Sequence, residues 1–163
     1  SMQNAKDSFY ITLRDRLATV NPARTMNLRS VTRPGILVEE AESPVPLMPL
    51  DVFVLRWTKV AVESHLALPL VQMTCEIHYA TAGTQALSGL DRGRLLEAMD
   101  AELLQMLTPA QAQKMNYSVS PASAMQTCVF WEQPVFGPTV TLRDQISKVT
   151  TVTVWSWQEV GEQ

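Results

Sequence analysis

The chain has 163 residues, an apolar fraction of 46%, a charged fraction of 18% and a formal net charge of -3. That length suits one domain that buries most of the surface its unfolded form exposes, and that composition excludes global disorder. The mild acidity supplies no basic field of the kind that draws proteins to nucleic-acid backbones, so specific nucleic-acid binding is not expected.

Ser1 before Met2 reads as a protease-cleavage remnant, and residues 1–6 are set aside as a flexible N-terminus. From Asp7, read as an N-cap, Phe9, Leu13, Leu17 and Val20 recur at helical spacing while Arg14, Asp15 and Arg16 take the other side. Asn21-Pro22 ends this helix, because the residue before proline is pushed out of helical angles. A polar stretch carrying Arg24, Arg29 and Arg33 follows as a loop and closes at Pro34-Gly35. Ile36 to Val38 then opens a strand whose tail, Glu39, Glu40 and Glu42, is read as solvated. Pro44, Pro46 and Pro49 are too many for a paired central strand, so 43–50 is a proline-rich loop.

Asp51 to Ser64 reads as a long strand with Phe53, Leu55, Trp57 and Ala61 on one face and Val52, Val54, Val60 and Val62 on the other. After a break at His65 to Pro69, Val71, Met73, Cys75, Ile77 and Tyr79 alternate with Gln72, Thr74, Glu76 and His78, giving a half-buried strand. The short connection favours an antiparallel hairpin. Asp91 is read as the cap of a second helix with the apolar stripe Leu95, Leu96, Met99, Leu103 and Met106. Thr108-Pro109 has a helix-start signature, so Ala110 to Met115 is expected to add helical turns, with a loop over 116–124. Thr127 to Gln133 is a fourth strand, 137–148 a loop, and Val149 to Gln158 a closing strand with Val152 and Val154 opposite Trp155 and Trp157. The expected fold is a single α+β domain, 1–163. It is a mainly antiparallel sheet of five strands with both helices on one face, in the order α-β-β-β-α-β-β.

Little here reads as chemistry. Glu63, His65, Cys75, Glu76 and His78 invite a metal site, but Cys75 and His78 project to opposite faces of one strand. Glu76 with His78 alone falls short of the three or four ligands zinc takes. No Gly-x-Ser-x-Gly elbow or glycine-rich phosphate loop is present. Cys75 and Cys128 lie in apolar runs, where thiols act as small hydrophobes and burial suppresses reactivity; a disulfide between them stays open, and a reducing compartment is the natural setting. No catalytic residue, metal or cofactor is expected. No segment approaches the ~18 consecutive apolar residues of a membrane span. Trp57 and Trp131 read as core, whereas no helix remains in the sequence to cover Trp155 and Trp157. Arginine is the charged residue most at home in interfaces, so Arg24, Arg29, Arg33 and Arg143, with Asp144, join Trp155 and Trp157 as candidate interface residues.

The helix Phe9 to Val20, the Arg33-Pro34 turn before the Ile36 to Glu39 strand and the Val149 to Trp157 ending give an element order that resembles the tail-terminator and tail-completion proteins of long-tailed bacteriophages. The resemblance implies a homo-oligomeric ring, usually of six subunits, that closes a tail tube and meets the head connector. It also implies no catalysis and a place in a virion tail or the cytoplasm of a bacterial host, and it makes the Arg-bearing loops and Trp155 and Trp157 the first contact candidates. A rival expectation is a small-molecule-binding or enzymatic α+β domain whose apolar pocket is lined by Met73, Tyr79, Phe130 and Trp131. A third is an adaptor that pairs through an open sheet edge.

Overall fold

The computed structural model describes residues 2–39, 49–64 and 67–162. Residues 43–48 of the expected proline-rich loop, with Glu40, Glu42 and His65, lie outside the described residues. Helix α1 (Gln3–Val20) is followed by strands β1 (Thr25–Leu28), β2 (Val31–Pro34), β3 (Ile36–Val38), β4 (Phe53–Glu63) and β5 (Leu70–Thr81). Helix α2 (Arg92–Met106) then leads to β6 (Gln111–Asn116), β7 (Ser123–Trp131), β8 (Val135–Phe136), β9 (Val140–Leu142) and β10 (Gln145–Trp157). β1 and β2 form a separate two-stranded sheet, and the other eight strands form one mixed sheet ordered β3-β4-β5-β10-β7-β6, with β8 and β9 also on β10.

This overturns the expected five-strand α+β fold. About 45% of the residues lie in strands, and the eight-stranded sheet curls into a half-barrel. Three causes account for the strands that sequence patterning missed. The polar stretch after α1 is a hairpin with a two-residue turn, Arg29 (φ 51) and Ser30 (φ 66), the doubly left-handed geometry that matches strand twist but is here made without Asn-Gly. Ala110 to Met115 is not helical: Gln111 to Asn116 are good helix formers taken into a strand by pairing with β7, with Ala112 and Lys114 turned inward. The expected loop 137–148 contains β9, the Arg143-Asp144 turn and the start of β10. β7, β8 and β9 all run antiparallel along one side of β10, interrupted near Pro134 and Pro138. Gly137 sits where a Cβ would lie 2.5 Å from the Val149 carbonyl, so the chain keeps its close approach only with glycine there.

Further expectations shift. Residues 3–6 belong to α1 rather than to a loose terminus, and Asp7 lies inside the helix, accepting a bond from Gln3 Nε2 at 2.7 Å. A bulge between Trp57 and Lys59 in β4 moves Val60 onto the face of Trp57 and sends Ala61 to the other. Asp91 makes no side-chain cap to α2; its carboxylate holds the amide and hydroxyl of Thr84, each at 2.8 Å.

β5 and β10 pair over twelve residues, from Ile146 opposite Thr81 to Trp157 opposite Leu70. Their inward residues, Val71, Met73, Cys75, Ile77 and Tyr79 against Ile146, Val152 and Val154, meet Phe9, Leu13 and Leu17 of α1 and Leu96, Met99 and Leu103 of α2 in one core. Phe9 is the hinge of the aromatic packing, edge-on to both Trp57 (5.6 Å) and Trp131 (5.0 Å). The edge of the sheet at β6 is sealed by α1. Ser8 Oγ accepts the Met115 amide at 2.9 Å, and the Arg16 guanidinium donates to the Met106, Pro109 and Gln111 carbonyls at 2.7–3.0 Å.

Buried ion pairs tie the remaining pieces down. Lys114 is fully buried, and its ammonium donates to Ser156 Oγ (3.1 Å), the Trp157 carbonyl (2.5 Å) and Glu162 Oε2 (2.8 Å), which fastens residues 157–162 back onto the sheet. Glu159 completes this latch by accepting from the Gln126 and Thr127 amides and the Thr127 hydroxyl. Burial pushes the Glu159 carboxyl up, but the Thr127 and Gln126 bonds and the Lys114 charge outweigh it and hold it below the usual value.

Lys114→Met leaves Glu162 buried without its cation, and the expected cost is about 3 kcal/mol or more in urea unfolding; adding Glu162→Gln restores most of it. An unchanged midpoint for the single variant contradicts this account. A carboxyl held low in the fold contributes stability above its unfolded pKa, near 4.5, and loses it as pH falls through the folded value. Hydrogen-exchange protection of the Gln126 and Thr127 amides is therefore expected to drop as pH falls below 4.5. Glu159→Gln should remove that acid dependence.

Candidate interaction surface

The residues proposed from sequence as interface candidates do not form one patch. Arg24 is an internal clamp: its guanidinium pairs bidentately with Glu102 of α2 at 2.5 and 2.9 Å, donates to the Asp51 carbonyl at 3.0 Å, and sits over the Phe53 ring. Arg29 is exposed at the β1–β2 tip. Arg33 donates to the Tyr10 hydroxyl, which itself donates to the Ile36 carbonyl, so it braces the β1–β2 hairpin against α1. Arg143 and Asp144 are exposed in the turn between β9 and β10. Trp155 and Trp157 lie at the other end of β10, half-buried, on the sheet face away from the core, with Phe130 and Gln72 flanking Trp155 on neighbouring strands.

The sheet has two open edges that sequence patterning did not identify. β3 covers β4 only along Phe53 to Leu55, so among the described residues Arg56 to Glu63 is paired on one side alone, with β5. There Val60 and Val62 are 45% and 53% exposed. On the flank of β10 away from β5, β8 and β9 pair only with β10 among the described residues, and Val135 and Leu142 are 68% and 67% exposed, beside exposed Phe136 and Val140. An unpaired strand presents a row of backbone donors and acceptors, and apolar side chains on it favour capture of another strand. The available signal was the pair of apolar segments Val60-Ala61-Val62 and Val135 to Leu142, which no expected partner covered; the breaks in β7–β9 hid it.

Side-chain chemistry is confined to structural networks. Tyr79 Oη donates to Asp100 Oδ1 (2.5 Å) and lies 2.9 Å from Thr150 Oγ1, and Lys148 Nζ donates to Asp100 Oδ2 (2.6 Å), locking α2 to β5 and β10. Burial, reinforced by the Asp100 bond, drives the Tyr79 phenol far up, so it keeps its proton and serves as a donor. Burial likewise drives the Cys75 thiol far up. Cys128 is exposed, not buried as its apolar run implied, and both cysteines are free. His78 and Glu76 pair at 2.9 Å on the outer face. Among the described residues no group of three or more His, Cys, Asp and Glu could hold a metal ion, and no helix is long and apolar enough to cross a membrane. Met73, Tyr79 and Trp131 are consumed by the core, while Phe130 lies on the opposite face, so the four do not line one pocket. An open cleft of about 980 Å³ does run between α1, the β1–β2 hairpin and the β3–β4 edge.

Set beside known proteins, the chain matches no family model and no curated protein.

Proposed function

We propose that this protein is a structural assembly subunit whose copies join head to tail through their sheet edges, closing a ring of the kind tail terminators form. The observation that carries it is a pair of apolar edges that no described residue pairs, on opposite flanks of one sheet: β4 from Arg56 to Val62, and β8 with β9. Two different surfaces on each copy are what a cyclic head-to-tail assembly requires. Strand direction supports the match. β4, β5, β10 and β9 alternate, so a neighbour that repeats the subunit along the sheet meets β9 with its own β4 antiparallel, the better-bonded arrangement. Val60 and Val62 then extend the face that carries Phe136, and Ala61 the face that carries Val135, Val140 and Leu142, removing apolar surface from water at about 25 cal/mol per Å². The assembled ring would present the Trp155 and Trp157 face to a further partner, such as a tail tube or head connector. The opening helix and closing strand of the resembled family are present as α1 and β10, but the element order that prompted the likeness is not the observed one. The proposal therefore stands on the edges.

Light scattering coupled to size exclusion tests it. Wild-type chain is expected to form a concentration-dependent closed oligomer. Val62→Lys and Leu142→Lys, both at exposed positions where the fold tolerates change, should each yield monomer, since lysine on an edge opposes strand pairing. Mixing the two variants should give a heterodimer and nothing larger, because each retains the edge that the other lacks. A wild-type monomer at every concentration, or a dimer abolished by one variant and untouched by the other, overturns head-to-tail assembly.

A further inference from the structure

The cleft beside α1 gathers positive charge in a chain whose formal net charge is -3. Lys6, Tyr10 and Arg14 recur every four residues and so form one stripe along α1, next to the buried stripe of Ala5, Phe9 and Leu13. Across the cleft from them stand Arg33 of β2 and Arg56 and Trp57 of β4. Four cations thus share one open space with two carboxylates, Asp7 and Glu39. Asp7 is engaged by Gln3, and Glu39 also has a partner.

The cations are poorly matched inside the fold. Arg14 reaches Asp15 at 3.4 Å, a solvent-exposed pair of little worth. Lys6 rests over the Trp57 ring at 5.7 Å, and among the described residues no hydrogen bond or ion pair is made by the Lys6 or Arg56 side chains. Arg33 spends its Nη2 on Tyr10, and among the described residues its buried Nε has no acceptor. Like charges held together cost free energy, and an anion in the cleft relieves that cost. By contrast Arg24, Lys114 and Lys148 each hold a carboxylate at 2.5–2.8 Å.

We infer that this cleft binds an organic anion, a phosphate or carboxylate group carried on a flat apolar body. The anionic group accepts from the Lys6 and Arg14 side chains beside the Arg33 and Arg56 guanidinium groups, and the body lies along the wall that Trp57 and Tyr10 supply. Arginine matches phosphate and carboxylate geometry equally, so the two sources share one chemistry. This binding is independent of edge assembly.

Isothermal titration of the full chain with inorganic phosphate, adenosine monophosphate and indole-3-acetate tests it. One equivalent of adenosine monophosphate, indole-3-acetate or both is expected to bind at least about tenfold tighter than inorganic phosphate, because only they carry the flat body. The nucleotide alone binding identifies phosphate as the group, and indole-3-acetate alone identifies carboxylate. The double variant Lys6→Gln/Arg14→Gln removes charge from the exposed side of α1 and is expected to weaken binding about tenfold or more while leaving the thermal midpoint in place. Trp57→Leu separately should weaken the organic anions and spare inorganic phosphate. No binding by any of the three probes, or equal binding by wild type and the double variant, overturns the inference. So does binding of hexaglutamate with none of the small anions, which would make the cleft a peptide dock.

Discussion

Everything in this molecule hangs from the pairing of β5 with β10. Twelve consecutive residue pairs in one register set which side chains face the helices, and a slip of one residue would send Met73, Cys75, Ile77, Val152 and Val154 to the outer face. The pair is far apart in sequence, with α2, β6 and the broken strand of β7, β8 and β9 between its members. Those intervening elements must therefore pack on one side of β10 or beneath it. β7, β8 and β9 take the free flank of β10, and α1 and α2 take the inward face.

Edges are the recurrent problem of such a sheet, and the protein treats its edges unequally. At β6 it uses helix α1, whose Ser8 and Arg16 satisfy backbone groups that would otherwise solicit another strand. No described residue does this for the outer half of β4 or for β8 and β9, and those strands carry exposed valine and leucine, with Lys59 the one lysine among them. Pro134 and Pro138 flank β8 but leave Val135, Phe136, Val140 and Leu142 outward. Among the described residues the fold thus seals one edge with a helix and leaves two others apolar.

Charge follows a similar division. Buried pairs do mechanical work: Arg24 with Glu102 fastens the start of β1 to α2, Asp100 with Tyr79 and Lys148 fastens α2 to the central strands, and Lys114 with Glu162 holds the C-terminal segment. Each joins elements that share few apolar contacts, where a directional bond positions what packing alone would leave loose. The cations on the outer stripe of α1 lack such assignments, which sets them apart from the structural set.

The sequence by itself determined the two helices, the four longest strands and β3, with the longer elements advertising their period: Phe9, Leu13 and Leu17 at helical spacing, Val71 to Tyr79 by alternation. It also pointed to core positions for Trp131, which is buried, and Trp57, which is only half-buried, and to uncovered ones for Trp155 and Trp157, which are half-buried. The tertiary structure alone decided the rest. Gln111 to Asn116 became a strand because β7 and α1 were there to satisfy its backbone; its own residues favour helix. The turns Arg29-Ser30 and Arg143-Asp144 lack the glycine and asparagine that mark tight hairpins, so β1, β2 and β9 were invisible to composition. Arg24 looked like a free loop arginine until folding brought Glu102 to it across 78 residues of chain. Which edges stay open, and which cations share a cleft, depends on contacts between residues distant in sequence, and local patterns carry no record of those.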